Sequence, residues 1–450
     1  VIDIPDGLQK AAWLAEETVQ LRCSFGSSAA FALSKGGNNF CAGDFQMRYL
    51  FDDEGNRNGL RLNKYLGTDA EVTVPEEVTE TGSAFKDCKT VTKVVLPAGL
   101  TKLESNIFSG CTGLKEIAIP EGVTSIGNGA FRDCEALTEL ALPQGLKKIG
   151  GNAFIGCKSL TYIEIPDGVE TVEHFIAEST IQLRCDLGSS AAVAVSRSND
   201  GFYSDDLYLR YTFDDDGVQN GLTLMKYVGA SSEVIVPDGV TKLQSNAFSD
   251  CKTLTKVTLP AGVTELPNSL FSDCAALSEI VIPDGVTAIG DSAFKSCASL
   301  TEIVLPQGLK RIDGYVFLGC TGLSYIDIPD GLETAGNWIA DDSVQLRCSL
   351  GSSAAIALSK SDNGFCVDGL RLCYRFDDDG NTNGLTAKRY LGSETEVTVP
   401  DGVDSIGDSA FYGCKGLTKL ALPQGLKEIG VNAFLGCEGL SYIDIPDGVE

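Results

Sequence analysis

The chain has 450 residues, of which 43% are hydrophobic and 22% are charged, and its formal net charge is -27. This composition is typical of a folded protein, but so large a negative charge repels other polyanions, so we expect no nucleic-acid partner. No apolar run approaches the roughly 18 to 20 residues that a membrane-spanning helix needs, so we expect no membrane insertion. Both ends of the sequence fall inside a repeated unit, without an initiating Met or a signal-like segment, which indicates a fragment of a longer protein.

The first predicted element is a strand followed by a short helix, in the segment "TVQLRCSFGSSAAFALSK" at residues 18–35. The segment returns as "TIQLRCDLGSSAAVAVSR" at residues 180–197 and as "SVQLRCSLGSSAAIALSK" at residues 343–360. In each copy, Gly-Ser-Ser precedes an Ala-rich stretch, and a Ser there can cap a helix. The chain therefore has a second, longer repeat, and we interpret this element as an end cap.

A β-hairpin is predicted next, at residues 47–67, 209–229 and 372–392, where two alternating stretches flank a turn rich in Asp, Asn and Gly. The turn "FDDDGNTNG" also resembles the start of an EF-hand loop, with Asp379, Asn381 and Asn383 at ligand positions. That likeness ends quickly, because the twelfth position is Tyr390 where a bidentate Glu is needed, and the second copy has Val218 at a ligand position. We favour the hairpin turn, and weak cation binding stays open.

A 23-residue repeat follows each hairpin, with the pattern L-x-x-I-x-[IL]-P-x-G-[VL]-x-x-[IL]-G-x-x-A-F-x-x-C-x-x. The alternating start predicts a short strand, and Pro ends its ladder because it lacks an N–H. Gly then permits a turn, and a second apolar stretch supplies the opposite wall. Asp, Asn or Ser before Ala-Phe is expected to cap one helical or 3₁₀ turn. The units begin at Val91, Leu114, Leu137, Leu160, Leu254, Leu277, Leu300, Leu323, Leu417 and Leu440.

A unit this short cannot bury its apolar side alone, so stacking of successive turns is the stable solution. The predicted fold is an α+β repeat solenoid, a leucine-rich-repeat β solenoid of 23-residue turns with parallel strands, interrupted by helix-plus-hairpin capping segments. Ten Phe residues should form inward columns. They are Phe85, Phe108, Phe131, Phe154, Phe248, Phe271, Phe294, Phe317, Phe411 and Phe434.

Ten cysteines recur at one position of the repeat, and buried free thiols explain them best, because stacked side chains point the same way and cysteine packs well inside. Bonds between neighbouring turns are not forbidden by distance alone. A zinc site is excluded, because a single-file column cannot supply four tetrahedral ligands. Outside the column, disulfides Cys23–Cys41 and Cys348–Cys366 are open, with Cys373 as a competing partner and fully reduced thiols as the alternative.

The two periods together predict four segments. Residues 1–45 end an upstream module, residues 46–207 form module 1, residues 208–370 form module 2, and residues 371–450 form a shortened module 3.

These repeat, closing and opening motifs resemble the BspA-like (Treponema pallidum type) leucine-rich repeat proteins over essentially the entire chain. "LTEIVLPQGLKRIDGYVFLGC" carries the repeat, "VQLRCSLGSSAA" the closing segment and "GLTLMKYVGASSEVIVPDGV" the opening one. The resemblance implies a curved β solenoid on a secreted or surface-attached protein, with adhesion or host-protein binding in some members and no catalytic motif. Extracellular or cell-surface localisation is an expectation that comes from the resemblance alone.

The outward positions of the stacked strands are the natural binding face, and they run Lys, Glu, Glu, Tyr in both complete modules. Tyr beside an acid is a plausible contact pair, although a solvated face with Lys-to-Glu pairing explains the order equally well. The candidate residues are Lys93, Glu116, Glu139, Tyr162, Glu164, Lys256, Glu279, Glu302, Tyr325, Asp327, Lys419, Tyr442 and Asp444.

Catalysis is not expected, because His174 is the only histidine and its counterparts in the other copies are Ala12 and Asn337. No catalytic residue, cofactor or metal is therefore predicted. The predicted function is protein or glycan binding of the adhesion type through the strand face, and a host-derived ligand is one form that this binding can take. The alternative is a structural spacer or a self-assembling repeat protein that associates end to end and has no specific ligand.

Overall fold

The computed structural model describes residues 1–14 and 19–449. The chain divides into two compact units, Val1–Thr212 and Phe213–Glu450. Each unit is a β solenoid whose turns follow the 23-residue repeat, so the predicted fold class is confirmed. The four-segment organisation at residues 1–45, 46–207, 208–370 and 371–450 stays a prediction.

Three eight-residue helices occur in the described residues: α1 Ser28–Lys35, α2 Ser190–Arg197 and α3 Ser353–Lys360. Each begins where the Gly-Ser-Ser motif predicts, and the Ser before each helix accepts a hydrogen bond from the third amide beyond it. None of the helices in this part of the chain is long and apolar enough to cross a membrane.

Sixteen strands begin in the described residues of the first unit. They are β1 Ile2–Asp3, β2 Leu21–Arg22, β3 Phe40–Ala42, β4 Phe45–Phe51, β5 Arg57–Tyr65, β6 Glu71–Thr73, β7 Lys93–Val95, β8 Lys102–Leu103, β9 Glu116–Ala118, β10 Ser125–Ile126, β11 Lys148–Ile149, β12 Tyr162–Glu164, β13 Thr171–Val172, β14 Gln182–Arg184, β15 Phe202–Ser204 and β16 Leu207–Phe213.

The second unit contains eighteen. They are β17 Gln219–Tyr227, β18 Glu233–Ile235, β19 Val240–Leu243, β20 Lys256–Thr258, β21 Glu265–Leu266, β22 Glu279–Val281, β23 Ala288–Ile289, β24 Arg311–Ile312, β25 Tyr325–Asp327, β26 Thr334–Ala335, β27 Gln345–Arg347, β28 Phe365–Val367, β29 Leu370–Phe376, β30 Thr382–Tyr390, β31 Glu396–Thr398, β32 Ser405–Ile406, β33 Lys419–Ala421 and β34 Glu428–Ile429.

Two parallel ladders form the walls of each solenoid. Three-residue strands form one wall, as in β6-β7-β9 and β18-β20-β22. Two-residue strands form the other, as in β8-β10-β11-β13 and β21-β23-β24-β26. Residues one repeat apart lie opposite each other, with Lys93 opposite Glu116 and Lys256 opposite Glu279. One turn of the solenoid is therefore one sequence repeat.

The hairpins are antiparallel, as predicted, in β4-β5 and β29-β30. Their turns are closed by an Asp side chain. Asp377 Oδ1 accepts hydrogen bonds from the amides of Asp379 and Asn381 at 3.1 and 2.8 Å, and Asp52 does the same for Glu54 and Asn56. Donation by these amides lowers the pKa of Asp52. The leading Asp of this motif therefore acts as a turn cap.

Stacked Phe rings form the core of each unit. Nine of the ten predicted Phe side chains are fully buried, and Phe434 is half-buried. Successive ring centroids lie 5.4 to 5.9 Å apart from Phe85 to Phe154, and 5.1 to 5.5 Å apart from Phe248 to Phe317. The predicted inward face is confirmed.

The expected helical cap before Ala-Phe is wrong. No helix begins at this position in the described residues, and the backbone there is left-handed, with φ of 56° at Asn152, 56° at Ser292 and 57° at Ser409. Gly and Asn tolerate this conformation better than most residues, and that tolerance explains why they recur at the position. A second left-handed residue follows two positions after Phe, as at Gly156 and Ser296.

Candidate functional site

The first and third residues of the three-residue strands face outward, and we call this surface the strand face. In the first unit it runs from β6 to β14 and includes Glu139 and Ala141. In the second it runs from β18 to β27, includes Glu302 and Val304, and resumes from β31 through β33 to Tyr442 and Asp444. The middle residue of most of these strands is buried while its two neighbours are exposed or half-buried, as in Tyr162, Ile163 and Glu164. All thirteen candidate residues are exposed or half-buried, and their role in binding stays a prediction. Tyr442 and Asp444 lie outside the assigned strands.

Lys-to-Glu pairs across neighbouring strands neutralise part of this surface. Lys93 Nζ lies 2.7 Å from Glu116 Oε1, and Lys256 forms the same pair with Glu279. The hydrogen bond and the charge of Glu116 raise the pKa of Lys93. Glu139 and Glu302, one turn further on, form no ion pair within the described ranges. The solvated-face interpretation therefore accounts for the Lys positions and leaves these two acids unexplained.

A Tyr-Arg stack occupies the same place in both units. The guanidinium carbon of Arg184 lies 4.2 Å from the ring centroid of Tyr162, and that of Arg347 lies 3.9 Å from the centroid of Tyr325. Gln182 fixes Arg184, because its Oε1 accepts from Nη2 at 3.1 Å. These distances fall inside the range of cation–π attraction. The Tyr rings remain 41% and 43% exposed.

Strand register produces this stack. Tyr162 is opposite Gln182 and Glu164 is opposite Arg184, so β14 continues the ladder of β12. The step from Glu164 to Arg184 is three residues shorter than the ordinary step of the ladder, such as that from Lys93 to Glu116. Arg184 Nη1 also lies 3.4 Å from Glu164 Oε1.

An open cavity of about 430 Å³ adjoins the stack in the first unit. Four carboxylates line it, from Glu139, Glu164, Asp167 and Asp186, against the single cation of Arg184. In the second unit a cavity of about 840 Å³ lies beside Arg347. It again has one Arg and four carboxylates, from Asp327, Asp330, Asp368 and Glu394. Both cavities therefore favour cationic groups over anionic ones.

The strand ladder is interrupted beside each stack. No strand is assigned at residues 137–143 or 300–306. The opposite wall stays bonded at these turns, with Ser125 paired to Lys148 and Lys148 paired to Thr171. One wall is therefore held by hydrogen bonds while the other is open at Glu139, and the same holds at Glu302.

Sequence reasoning missed Arg184, Arg347 and their Gln partners. On sequence grounds alone, the motif "QLR" is the strand that begins an end cap. Its alternation, with Gln and Arg flanking a buried Leu, is the signal that marks it as one more strand of the same face.

All sixteen cysteines are free thiols in the structure. Within the repeat, each buried thiol donates to the carbonyl oxygen of a Phe in the preceding turn, as Cys134 does to Phe108 at 3.2 Å. Cys23 directly follows β2 and Cys41 lies on the neighbouring strand β3, and the Cys23 amide donates to the Cys41 carbonyl oxygen at 3.2 Å. Oxidation of Cys23–Cys41 or Cys348–Cys366 stays a prediction.

Metal ligands are not grouped in the described part of the chain. Within residues 1–14 and 19–449, no group of three or more His, Cys, Asp and Glu side chains could hold a metal ion. His174 Nδ1 donates to the carbonyl oxygen of Ser198 at 2.8 Å and so supports a turn.

The 23-residue repeat identifies the family to which the chain belongs. A model of the BspA type leucine-rich repeat region matches six copies in this chain, over residues 70–185, 226–347 and 389–450. The chain belongs to the BspA type leucine-rich repeat family. The matched ranges lie between the helix-and-hairpin segments, and the resemblance found in the sequence is confirmed. Members of this repeat family are not known as enzymes.

Comparison with curated proteins finds no match. Among solved structures, a leucine-rich repeat protein from Bacteroides ovatus is 22% identical, with 91% of this chain and 83% of that chain covered and a TM-score of 0.30. The T. pallidum leucine-rich repeat protein is 22% identical, with coverage of 64% and 91% and a TM-score of 0.26. The pneumococcal vaccine antigen PcpA is 17% identical, with coverage of 92% of both chains and a TM-score of 0.35. The family assignment rests on the repeat match.

Proposed function

We propose that this chain is a non-catalytic binding protein, secreted or attached to the cell surface, that holds a protein or glycan partner on its strand face. Adhesion to a host molecule is the form of binding that the family resemblance suggests. The observation that supports the proposal is the Tyr-Arg stack, which occurs once in each unit at the same turn and has an acidic cavity beside its Arg.

The charge of the two cavities and the side chains beside them limit the class of partner. Each cavity has four carboxylates against one Arg, so basic groups are attracted and nucleic acid is repelled. Tyr and Arg are the side chains that most often dominate binding energy at protein interfaces. A protein segment with Lys or Arg therefore fits this surface better than a neutral glycan does.

The second unit adds an apolar row to its strand face. Ile235, Val281 and Val304 are 76%, 65% and 81% exposed, whereas Thr73, Ala118 and Ala141 occupy the corresponding places of the first unit. We therefore expect the second unit to bind more strongly, because more apolar area can be removed from water.

The test is capture of purified matrix proteins and glycans by the chain and by the triple variant Tyr162→Ala, Tyr325→Ala and Tyr442→Ala. We expect the triple variant to lose capture by at least about tenfold, because truncation of a central aromatic residue costs about 2 kcal/mol or more. The matched control is the double variant Tyr315→Ala and Tyr412→Ala, which removes exposed Tyr rings from turns outside the strand face. Equal capture by all three proteins would reject the strand face as the binding surface.

A further inference from the structure

A large exposed aromatic side chain occurs once in each copy of the long repeat, on the turn before each "QLR" strand. Trp13, Phe175 and Trp338 are 62%, 73% and 61% exposed. They are aligned in the long repeat, within "AAWLAEE", "EHFIAES" and "GNWIADD". None of them lies on the strand face, and the proposed function does not use them.

The backbone at two of these residues is in a region that bulky side chains avoid. The φ angle is 58° at Phe175 and 55° at Trp338. Most other turns have Asn, Gly or Ser at this place, as at Asn152, Gly129 and Ser292, and Tyr315 is a further aromatic residue there with a φ of 59°. An aromatic residue there costs conformational energy and leaves its ring in water, and strain of this kind concentrates at functional sites.

The turn is held in this conformation by one Asn side chain. Asn363 Oδ1 accepts from the Ile339 amide at 2.9 Å, and its Nδ2 donates to the Gly336 carbonyl oxygen at 2.8 Å, so both sides of Trp338 are fixed. Asn38 also brackets Trp13, because its Oδ1 accepts from the Leu14 amide and its Nδ2 donates to the carbonyl oxygen of Ala12, one residue nearer the ring than Gly336 is in the other copy. The aromatic side chain is therefore presented on a fixed turn, which lowers the entropy cost of binding.

Carboxylates accompany the rings of Trp338 and Phe175. Trp338 borders a cavity of about 220 Å³ that also contains Asp341, Asp342 and Asp362, with Arg371 as its one cation. Arg371 Nη1 lies 2.9 Å from Asp342 Oδ1, and the Asp341 carboxylate accepts from the Gly319 amide, so a net negative charge remains. Glu178 follows Phe175 by three residues and is exposed. An aromatic face beside carboxylates is the chemistry that recognises cations.

We propose that the turns of Trp13, Phe175 and Trp338 are binding points for arginine or lysine side chains of a partner protein, one in each copy of the long repeat. The cavity of Trp338 shares no residue with the cavity beside Arg347. These points are therefore separate from the strand face, and each can be tested without altering it.

Fluorescence provides a direct test, because Trp13 and Trp338 are the only two Trp residues of the chain. The variant Trp13→Asn leaves Trp338 as the sole reporter. The probe is an acetylated and amidated peptide of three Arg alternating with three Ser, and its control has Gln in place of each Arg. We expect the Arg peptide to change Trp338 emission saturably and the Gln peptide to leave it unchanged. Unchanged emission with the Arg peptide would overturn the proposal.

Affinity for the labelled Arg peptide is measured by anisotropy on the triple variant Trp13→Asn, Phe175→Asn and Trp338→Asn. Asn is native to this turn elsewhere in the chain and keeps the net charge, so both folding and general attraction to a cation are preserved. We expect the affinity to fall by about two- to fivefold for each ring that contributes. The matched control Tyr412→Asn should leave the affinity for the Arg peptide unchanged. The proposal would be overturned if the triple variant bound the Arg peptide with the same affinity as the native chain. It would also be overturned if the native chain self-associated and the triple variant did not, since the rings would then bind a second copy.

Discussion

The thiol of Cys134 donates a hydrogen bond to the carbonyl oxygen of Phe108, in the preceding turn, at 3.2 Å. That carbonyl oxygen also accepts the amide of Cys111 at 3.0 Å. One buried acceptor thus joins its own turn to the next turn, and the bond recurs from Cys111 to Phe85 and from Cys297 to Phe271. Cysteine recurs at this position of the repeat because its side chain is small and apolar and can still donate a hydrogen bond.

The central Phe column should dominate the stability of each unit. Phe294 is fully buried between Phe271 and Phe317, at centroid distances of 5.3 and 5.5 Å. We expect Phe294→Ala to lower the free energy of unfolding by about 3 to 5 kcal/mol, because it removes buried apolar surface and leaves a cavity. Urea denaturation measures the change. The control Phe434→Ala, in a half-buried position, should cost clearly less, and a loss below about 1 kcal/mol for Phe294→Ala would contradict its packing.

The buried thiols should make the protein sensitive to alkali. Burial raises the pKa of Cys111 and of Cys157 from 9.0 to about 12, and it raises the pKa of Cys134 further. Above about pH 9 the thiols of the unfolded chain ionise while the folded ones keep their protons. Stability is therefore complete below about pH 9 and falls between about pH 9 and 12, by about 1.4 kcal/mol per pH unit for each thiol.

Thermal unfolding between pH 7 and 11 measures this loss. Cys134→Ser keeps a donor to the Phe108 carbonyl oxygen and does not titrate in this range, so its unfolding temperature should fall less steeply with pH. Parallel curves for the two proteins would contradict the assignment of the loss to buried thiols.

Thiol counting should find sixteen reactive groups in denaturant without reductant, since all sixteen cysteines are free in the structure. In the native protein, half-buried Cys88 and Cys414 should react before fully buried Cys134. A count of fourteen or fewer, with peptides that join Cys23 to Cys41 or Cys348 to Cys366, would instead support disulfides at these strand pairs.

The sequence predicts the solenoid well because its period, its Pro and its buried Phe each have one simple physical interpretation. It predicts the residues of the site less well where the spacing between neighbouring strands departs from the 23-residue repeat. The Tyr-Arg stack was missed because the step from Glu164 to Arg184 on the same ladder is shorter than the repeat. Tyr65, which begins the ring column 5.5 Å from Phe85, was missed because it belongs to the hairpin. The turn at Asn152 was misassigned because Asn favours both a helix cap and left-handed backbone.

The middle copy of the Asn-held turn contains a carboxylate in place of the amide. Asp200 occupies the position of Asn38 and Asn363, and a carboxylate cannot donate to a carbonyl oxygen as their amide groups do. Burial raises the pKa of Asp200. Its charged form is therefore disfavoured in the folded protein, and stability should be complete below about pH 4 and decline as pH rises through the folded pKa.

Asp200→Asn should restore the missing donor and remove that decline. We expect the free energy of unfolding at pH 7 to rise by about 1 kcal/mol, the net value of a typical hydrogen bond, and the gain to shrink at pH 4. Denaturation at both pH values measures this difference. The exposed Asp206 provides the control, because Asp206→Asn removes the same charge without a buried partner and should change stability by no more than about 0.5 kcal/mol. An equal gain at pH 4 and pH 7 would show that burial of the Asp200 charge does not limit the stability of this turn.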